Sequence, residues 1–171
     1  MVAIDAPAFV DGLGEPSIRP FSSEDHAWAI GLLAQTGGRY RVRRGRVVDP
    51  VGMPGLVGER GGRSNTLVTI SRLGGNLQLV SIASDPFDEE LVHMTIQAAL
   101  HYRDPQCRRA FAICSNAHFD VQRALQSAGF RLCATRPGAI EALARRSLEP
   151  LVGEHDGLAV RDEVEFDLLF P

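Results

Sequence analysis

The stretch Leu77 to Tyr102, LQLVSIASDPFDEELVHMTIQAALHY, sets the fold. Leu77 to Ser84 is an apolar run of strand length, punctuated by Asp85-Pro86. Beyond it, Leu91, Val92, Thr95, Ile96, Ala99 and Leu100 recur at helical spacing. Asp85 is the expected N-cap and Pro86 the first helical position, with Asp88, Glu89 and Glu90 loading the first turn with negative charge. A strand feeding a helix N-terminus is where α/β proteins most often seat an anion or cofactor. Such a seat usually wants glycines, so that bare backbone N–H groups can approach the ligand, and none of Asp85 to His93 is glycine.

Upstream, Gly55 to Arg60 and Asn65 to Arg72 read as strands joined at Gly61-Gly62, and Gly74-Gly75-Asn76 turns the chain into Leu77, which makes an antiparallel meander. Downstream, Arg109 to Cys114 is a short apolar strand that returns parallel to Leu77–Ser84 through a right-handed crossover. Phe119, Val121, Leu125 and Ala128 then mark a helix ended by Gly129, with Phe130 to Thr135 as the next strand and Pro137 to Arg146 as a short helix. The tail from Leu158 to Phe170 alternates, with Val160, Val164, Phe166 and Leu168 on one face and Arg161, Glu163, Glu165 and Asp167 on the other. At the other end, residues 1–16 read as a loosely docked leader, and 17–171 as a single domain opening with a strand at Ser17–Pro20. Ser22 and Asp25 form a capping box for a helix carrying Trp28, Ile30, Leu32 and Leu33, stopped by Gly37-Gly38.

The whole pattern is a mixed α/β sheet in 171 residues, enough for one core. A net charge of −3 implies no general attraction to nucleic acid or membrane. All 18 basic residues are arginine, in keeping with a GC-rich bacterial coding bias, and a lysine nucleophile is excluded. Three cysteines without C-x-x-C spacing suggest neither a disulfide framework nor zinc, so a reducing cytoplasm is the expected compartment and no metal is expected. The run Arg39 to Arg46, RYRVRRGR, holds five arginines in eight residues. It is either a clamp for phosphate or carboxylate or, as charge runs more often are, a solvated loop.

The element order resembles the GNAT superfamily of acyl-CoA-dependent N-acyltransferases: a meander, a β-α-β crossover with splayed central strands, and a C-terminal hairpin. At residue level, SNAHFDVQRALQSAGF at Ser115 to Phe130 resembles the family's Asn-helix-Gly-Phe segment, and RPGA at Arg136 to Ala139 with GEHDGLAVRDEVEF at Gly153 to Phe166 is similar to the ending of one bacterial branch. The resemblance implies that acetyl-CoA or another acyl-CoA lies where Leu77–Ser84 and Arg109–Cys114 part. Ile82, Ala83 and Ser84 would align the thioester carbonyl. The pyrophosphate loop would fall on Phe87 to Val92, with Glu90 and Val92 at the two glycine positions and Leu91 and His93 beside them. Asn116 matches the family's segment. Leu125 stands where many members carry the tyrosine that protonates CoA thiolate, and His118 where they carry an asparagine.

Three residues are candidates for proton transfer. Glu59 ends a strand that could face the acceptor amine, His118 opens a helix, and Asp162 falls on the apolar parity of the last strand, either capped by backbone donors or with a raised pKa. His93, Gln97 and His101 share a helical face but make a weak ligand set. Two readings stay open. One is an acyltransferase acting on an amine of a small molecule or peptide, its donor an acyl-CoA, another acyl carrier or a tRNA-borne ester. The other is a binding protein that has kept the fold and lost acetyl-CoA binding. The resemblance also implies a homodimer through the late strands.

Overall fold

A computed structural model describes residues 14–147, 151 and 153–171. The expected leader therefore lies mostly outside the described residues, and β1 already begins at Pro16 (Pro16–Pro20). Its sheet partner is β4 (Gly55–Arg60), which continues through β5 (Arg63–Leu73) to β6 (Asn76–Ser84) as the expected meander. Helix α2 (Glu89–Leu100) carries the chain over to β7 (Arg109–Ser115), which pairs parallel to β6. After α3 (Phe119–Ser127) and β8 (Arg131–Arg136), the last strand β11 (Glu163–Leu169) inserts between β7 and β8. The seven-stranded order is β1-β4-β5-β6-β7-β11-β8. A small hairpin, β2 (Arg41–Arg43) with β3 (Arg46–Val48), follows α1 (His26–Gln35). A second one, β9 (Glu154–His155) with β10 (Leu158–Ala159), follows α4 (Ala139–Ala144).

The two faces of the sheet are closed by different chemistry. On one, α2 and α3 lay Val92, Ile96, Ala99, Ala124 and Leu125 over Val68, Leu79, Ala112, Val164 and Phe166. Gly58 is what lets α2 come so close: a Cβ there would stand 2.6 Å from Thr95 Oγ1 and 3.0 Å from Leu91 Cγ. On the other face, α1 covers Val57, Leu67 and Ala83 with Ala29, Leu32 and Leu33. The remainder of that face, over β7 and β11, is covered by the β2–β3 hairpin, where Arg44 lies on the Phe111 ring at 5.0 Å and bonds Glu165 at 2.6 Å.

Two expectations are corrected. The helix after β6 is capped by Asp88, not Asp85: Asp88 is extended, and its carboxylate accepts from Leu91 N–H at 3.0 Å. Ser84 Oγ fixes the intervening turn, since it accepts from Asp88 N–H at 3.3 Å and donates to Asn65 Oδ1 at 2.7 Å. The tail is not one strand, because the chain leaves the β10 hairpin at Val160 and rejoins the sheet only at Glu163. Its polar face is buried at Glu163 and Glu165, which are 0% and 2% exposed. No helix among the described residues is long and apolar enough to cross a membrane.

Candidate functional site

Strands β6 and β7 pair only at Leu77–Ala110, Gln78–Phe111 and Leu79–Ala112. β6 then runs on to Ser84 along β5, while β7 follows β11 to Ser115, so a wedge opens between the two halves of the sheet. Asp85 N–H bonds Asn65 C=O, and Ala83 opposes Leu67 two residues back. In an antiparallel ladder bonded and non-bonded pairs alternate. The N–H groups of Ile82 and Ser84 therefore point away from β5, into the wedge.

The wedge holds two cavities. The inner one, about 50 Å³, lies between Val80, Ile113, Ser115, Leu125, His118 and the arginine hairpin. The outer one, about 320 Å³, is bounded by Ile82, Ala83, Ser84, Phe87, His118 and Val121. A shallow hollow of about 850 Å³ outside the α2 N-terminus is rimmed by Arg60, Arg63, Asn65, Phe87, Asp88 and Glu90.

In that hollow the three acids of the first turn are ion-paired within the chain to two arginines. Arg60 grips Asp88 at 2.6 Å and 3.0 Å and reaches Glu90 at 2.9 Å, while Glu89 pairs with Arg123 at 2.9 Å. Asp88 is held below the usual carboxylate range: burial opposes ionisation, but the Arg60 guanidinium and the Leu91 N–H outweigh it. Leu91 and Val92 are wholly buried on the sheet, and His93 is half-buried.

His118 reaches both cavities, with Nδ1 on Ser115 Oγ, Nε2 3.2 Å from Thr36 C=O and its ring stacked 4.1 Å from His155. Burial, then the neighbouring His155 and Arg41, push its pKa down to about 3, so the ring is neutral around pH 7. Gly37, at φ 103°, lets the chain pass against that ring; a Cβ would sit 2.3 Å from Nε2. Leu125 is fully buried among the α2–α3 side chains and offers no proton.

Other expected residues are placed elsewhere. Glu59 is bound by Arg19 at 2.8 Å and lines neither cavity. The Asp162 carboxylate accepts Gly138 N–H at 2.7 Å, which is the backbone-capped alternative. Asn116 ties the end of β7 to the tail: it donates to Ala159 C=O and accepts N–H from Arg161 and Asp162. No group of residues able to hold a metal occurs among the described residues.

Of the run Arg39 to Arg46, read from the sequence as either an anion clamp or a solvated loop, Arg41 and Arg43 line the inner cavity. Arg41, 9% exposed, donates to Ser81 Oγ at 3.2 Å and to the carbonyls of Gly37 and Gly38. Arg43 donates to Val42 C=O at 2.6 Å and, across the crotch of the wedge, to Val80 C=O.

The parting of β6 and β7 in an otherwise continuous mixed sheet decides the architecture. This chain has the GNAT fold. Solved GNAT-fold structures superpose over most of its length. A probable acetyltransferase from Staphylococcus epidermidis has a TM-score of 0.63 at 12% identity, covering 92% of this chain and 100% of that one. An IAA acetyltransferase from Bacillus cereus gives 0.60 at 13%, covering 91% and 100%. A GNAT family acetyltransferase from Elizabethkingia anophelis with acetyl-CoA bound gives 0.60 at 10%, covering 91% and 98%. No family model and no curated protein matches the sequence.

Proposed function

We propose that this GNAT-fold chain transfers an acyl group from a thioester donor, acetyl-CoA or another acyl-CoA, to an amine of a small molecule or peptide. The observation that carries the reading is the wedge, with Ile82 and Ser84 N–H groups free to meet a carbonyl and a cavity on either side of them. The pantetheine would enter by the outer cavity and the amine from the hairpin side. Attack on the thioester carbonyl puts negative charge on its oxygen, and fixed backbone donors stabilise that oxyanion. Collapse breaks the C–S bond and expels the CoA thiolate, while the attacking nitrogen gives up its extra proton to solvent water. With a thiol pKa of about 8.5, a thiolate can take its proton from water, so Leu125 slows the step without forbidding it. Positioning supplies much of such a rate.

The hollow at the α2 N-terminus would take the pyrophosphate because the acids of the helix's first turn are ion-paired, Asp88 and Glu90 with Arg60 and Glu89 with Arg123, and because Arg63 stands on the rim. Of the three candidates for proton transfer, only His118 reaches the wedge. As a neutral ring with Nε2–H facing Thr36 C=O and Nδ1 accepting from Ser115 Oγ, it serves to orient its neighbours rather than as an acid or base. A homodimer through the late strands belongs to the same proposal, with β8 as the free edge and Leu132 exposed on it.

Calorimetric titration with acetyl-CoA and CoA, alongside thermal unfolding, tests the reading. Ligand at a hundredfold excess over Kd stabilises by about 2.7 kcal/mol. No heat and no shift up to millimolar ligand would remove CoA as donor. The buried Leu125 and the self-capped α2 would then be features of a non-catalytic binding protein.

A further inference from the structure

We infer that the inner cavity binds a carboxylate, and that the acyl acceptor is therefore an amine that also carries a carboxylate, as an amino acid does. The inference rests on the acyltransferase reading for the word acceptor, but the carboxylate site stands on its own geometry.

The arginines near the wedge fall into two groups. Arg44, Arg109 and Arg136 each meet acid side chains: Arg44 and Arg109 bond Glu165 at 2.6 Å and 2.8 Å, Arg109 also reaches Asp167 at 3.1 Å, and Arg136 lies 2.6 Å from Glu165 and 3.6 Å from Glu163. Three guanidinium groups thus answer three carboxylates. Arg41 and Arg43 are left over. Among the described residues, every hydrogen bond they make goes to a hydroxyl or a backbone carbonyl, and none to an acid. Arg43 Nε is buried with no hydrogen-bond partner among the described residues. Glu163 lies near enough for Arg43 to feel its field, yet neither of its oxygens accepts a hydrogen bond.

Two cations held out of water without a hydrogen-bonded anion are costly, and a bound anion relieves the cost. Among the described residues, the inner cavity beside them has no Asp or Glu in its lining, only Arg41, Arg43, the neutral His118 and otherwise uncharged residues. At about 50 Å³ it exceeds several times the ~10–15 Å³ that one water needs, which admits a carboxylate group but not a large ligand. Its position completes the argument: it lies at the crotch of the wedge on the hairpin face, so an acceptor anchored there by its carboxylate would project its amine toward the Ile82–Ser84 edge. Burial pushes both guanidinium groups down, Arg41 to about 9, with Arg43 beside it adding to the fall, and Arg43 to about 10, with Glu163 opposing it only in part.

The test uses matched pairs on the full chain. Acetate, propionate and benzoate are titrated against acetamide, propionamide and benzamide at constant ionic strength, following the unfolding midpoint without any acyl donor. Carboxylates should raise the midpoint and the neutral amides should not. Arg43→Gln should abolish that preference, Arg43→Lys should keep part of it, and Arg44→Gln, on the same hairpin but bonded to Glu165, should leave it intact. Equal effects of acid and amide, or a preference unchanged in Arg43→Gln, would overturn the site. A transfer arm then separates the sources of the anion. Amino acids should be acylated from acetyl-CoA with at least tenfold higher kcat/KM than their decarboxylated amines, the difference lying mainly in KM and lost in Arg43→Gln. Transfer to decarboxylated amines that succeeds only from succinyl-CoA would assign the anion to the donor and overturn the acceptor claim. Carboxylate-selective binding with no transfer to anything would sink the acyltransferase reading and leave the site standing.

Discussion

Replacing Glu165 with Gln isolates the ionic layer on the hairpin side of the sheet. Glu165 is 2% exposed and receives Arg44 and Arg136 at 2.6 Å and Arg109 at 2.8 Å. Burial opposes its ionisation, but the three guanidinium groups overcome this and bring its pKa from 4.5 to about 2. The difference, 4.5 − 2, is about 2.5 units, and at 1.36 kcal/mol per unit the ionised form gains about 3 kcal/mol of folding stability. The folded pKa is depressed, so this stability is present above the unfolded value of 4.5 and lost as pH falls toward 2. Glutamine keeps the shape and removes the charge. Urea unfolding at pH 7 should therefore show Glu165→Gln weaker by about 3 kcal/mol, and at pH 3 the gap should shrink to less than half, because the wild type is itself losing the term. A gap under 1 kcal/mol at pH 7, or the same gap at both pH values, would refute the claim that the three arginines hold Glu165 ionised.

His118 is governed by an earlier pH window. Its folded pKa of about 3 lies below the unfolded 6.5, so wild-type stability should fall by about 2 kcal/mol between pH 7 and pH 5, and His118→Gln should flatten that slope in equilibrium unfolding. Leu125→Ala should cost about 2–5 kcal/mol by leaving a void between α3 and the sheet, whatever its effect on turnover; an unfolding midpoint within error of wild type would contradict that packing. Arg60→Met strips the counter-ion from Asp88 and Glu90 and should cost about 1–2 kcal/mol, with a larger proportional loss of CoA affinity if the pyrophosphate lies at the α2 N-terminus; unchanged affinity would move the phosphates elsewhere. Gly58→Ala should destabilise by pushing α2 away from β4, which loss of hydrogen-exchange protection around Thr95 would report.

The strand and helix at Leu77–Leu100 were legible because both carry unbroken apolar signals: a continuous run for a strand covered on both faces, and a 3.6-residue period for α2. The cap was misplaced because two aspartates stood three residues apart, and Asp88 is favoured by the Ser84 hydroxyl that accepts its N–H and by Arg60, 28 residues away, which grips its carboxylate. The tail misled for a related reason. Alternation tells which residues share a face, but β11 is an interior strand with both faces covered, so polar parity did not mean solvent. The arginine run could not be resolved by composition, since whether a guanidinium is solvated, paired or stranded depends on which carboxylates stand opposite it, and Glu165 lies 121 residues from Arg44. Glu59 was ambiguous in the same way: its partner Arg19 is 40 residues away.

The three-pair seam between β6 and β7 turns one sheet into two plates joined along a short crease. β1, β4, β5 and β6 form one plate, and β7, β11 and β8 the other. Across the crease the hairpin acts as a latch, with Arg43 fastened to Val80 on the first plate and Arg44 to Glu165 on the second. A ligand wider than the gap needs only to strain that latch and three backbone pairs, while each plate keeps its full ladder. Flexing would therefore concentrate at Leu79 and Val80, at the vertex of the angle that grips the ligand.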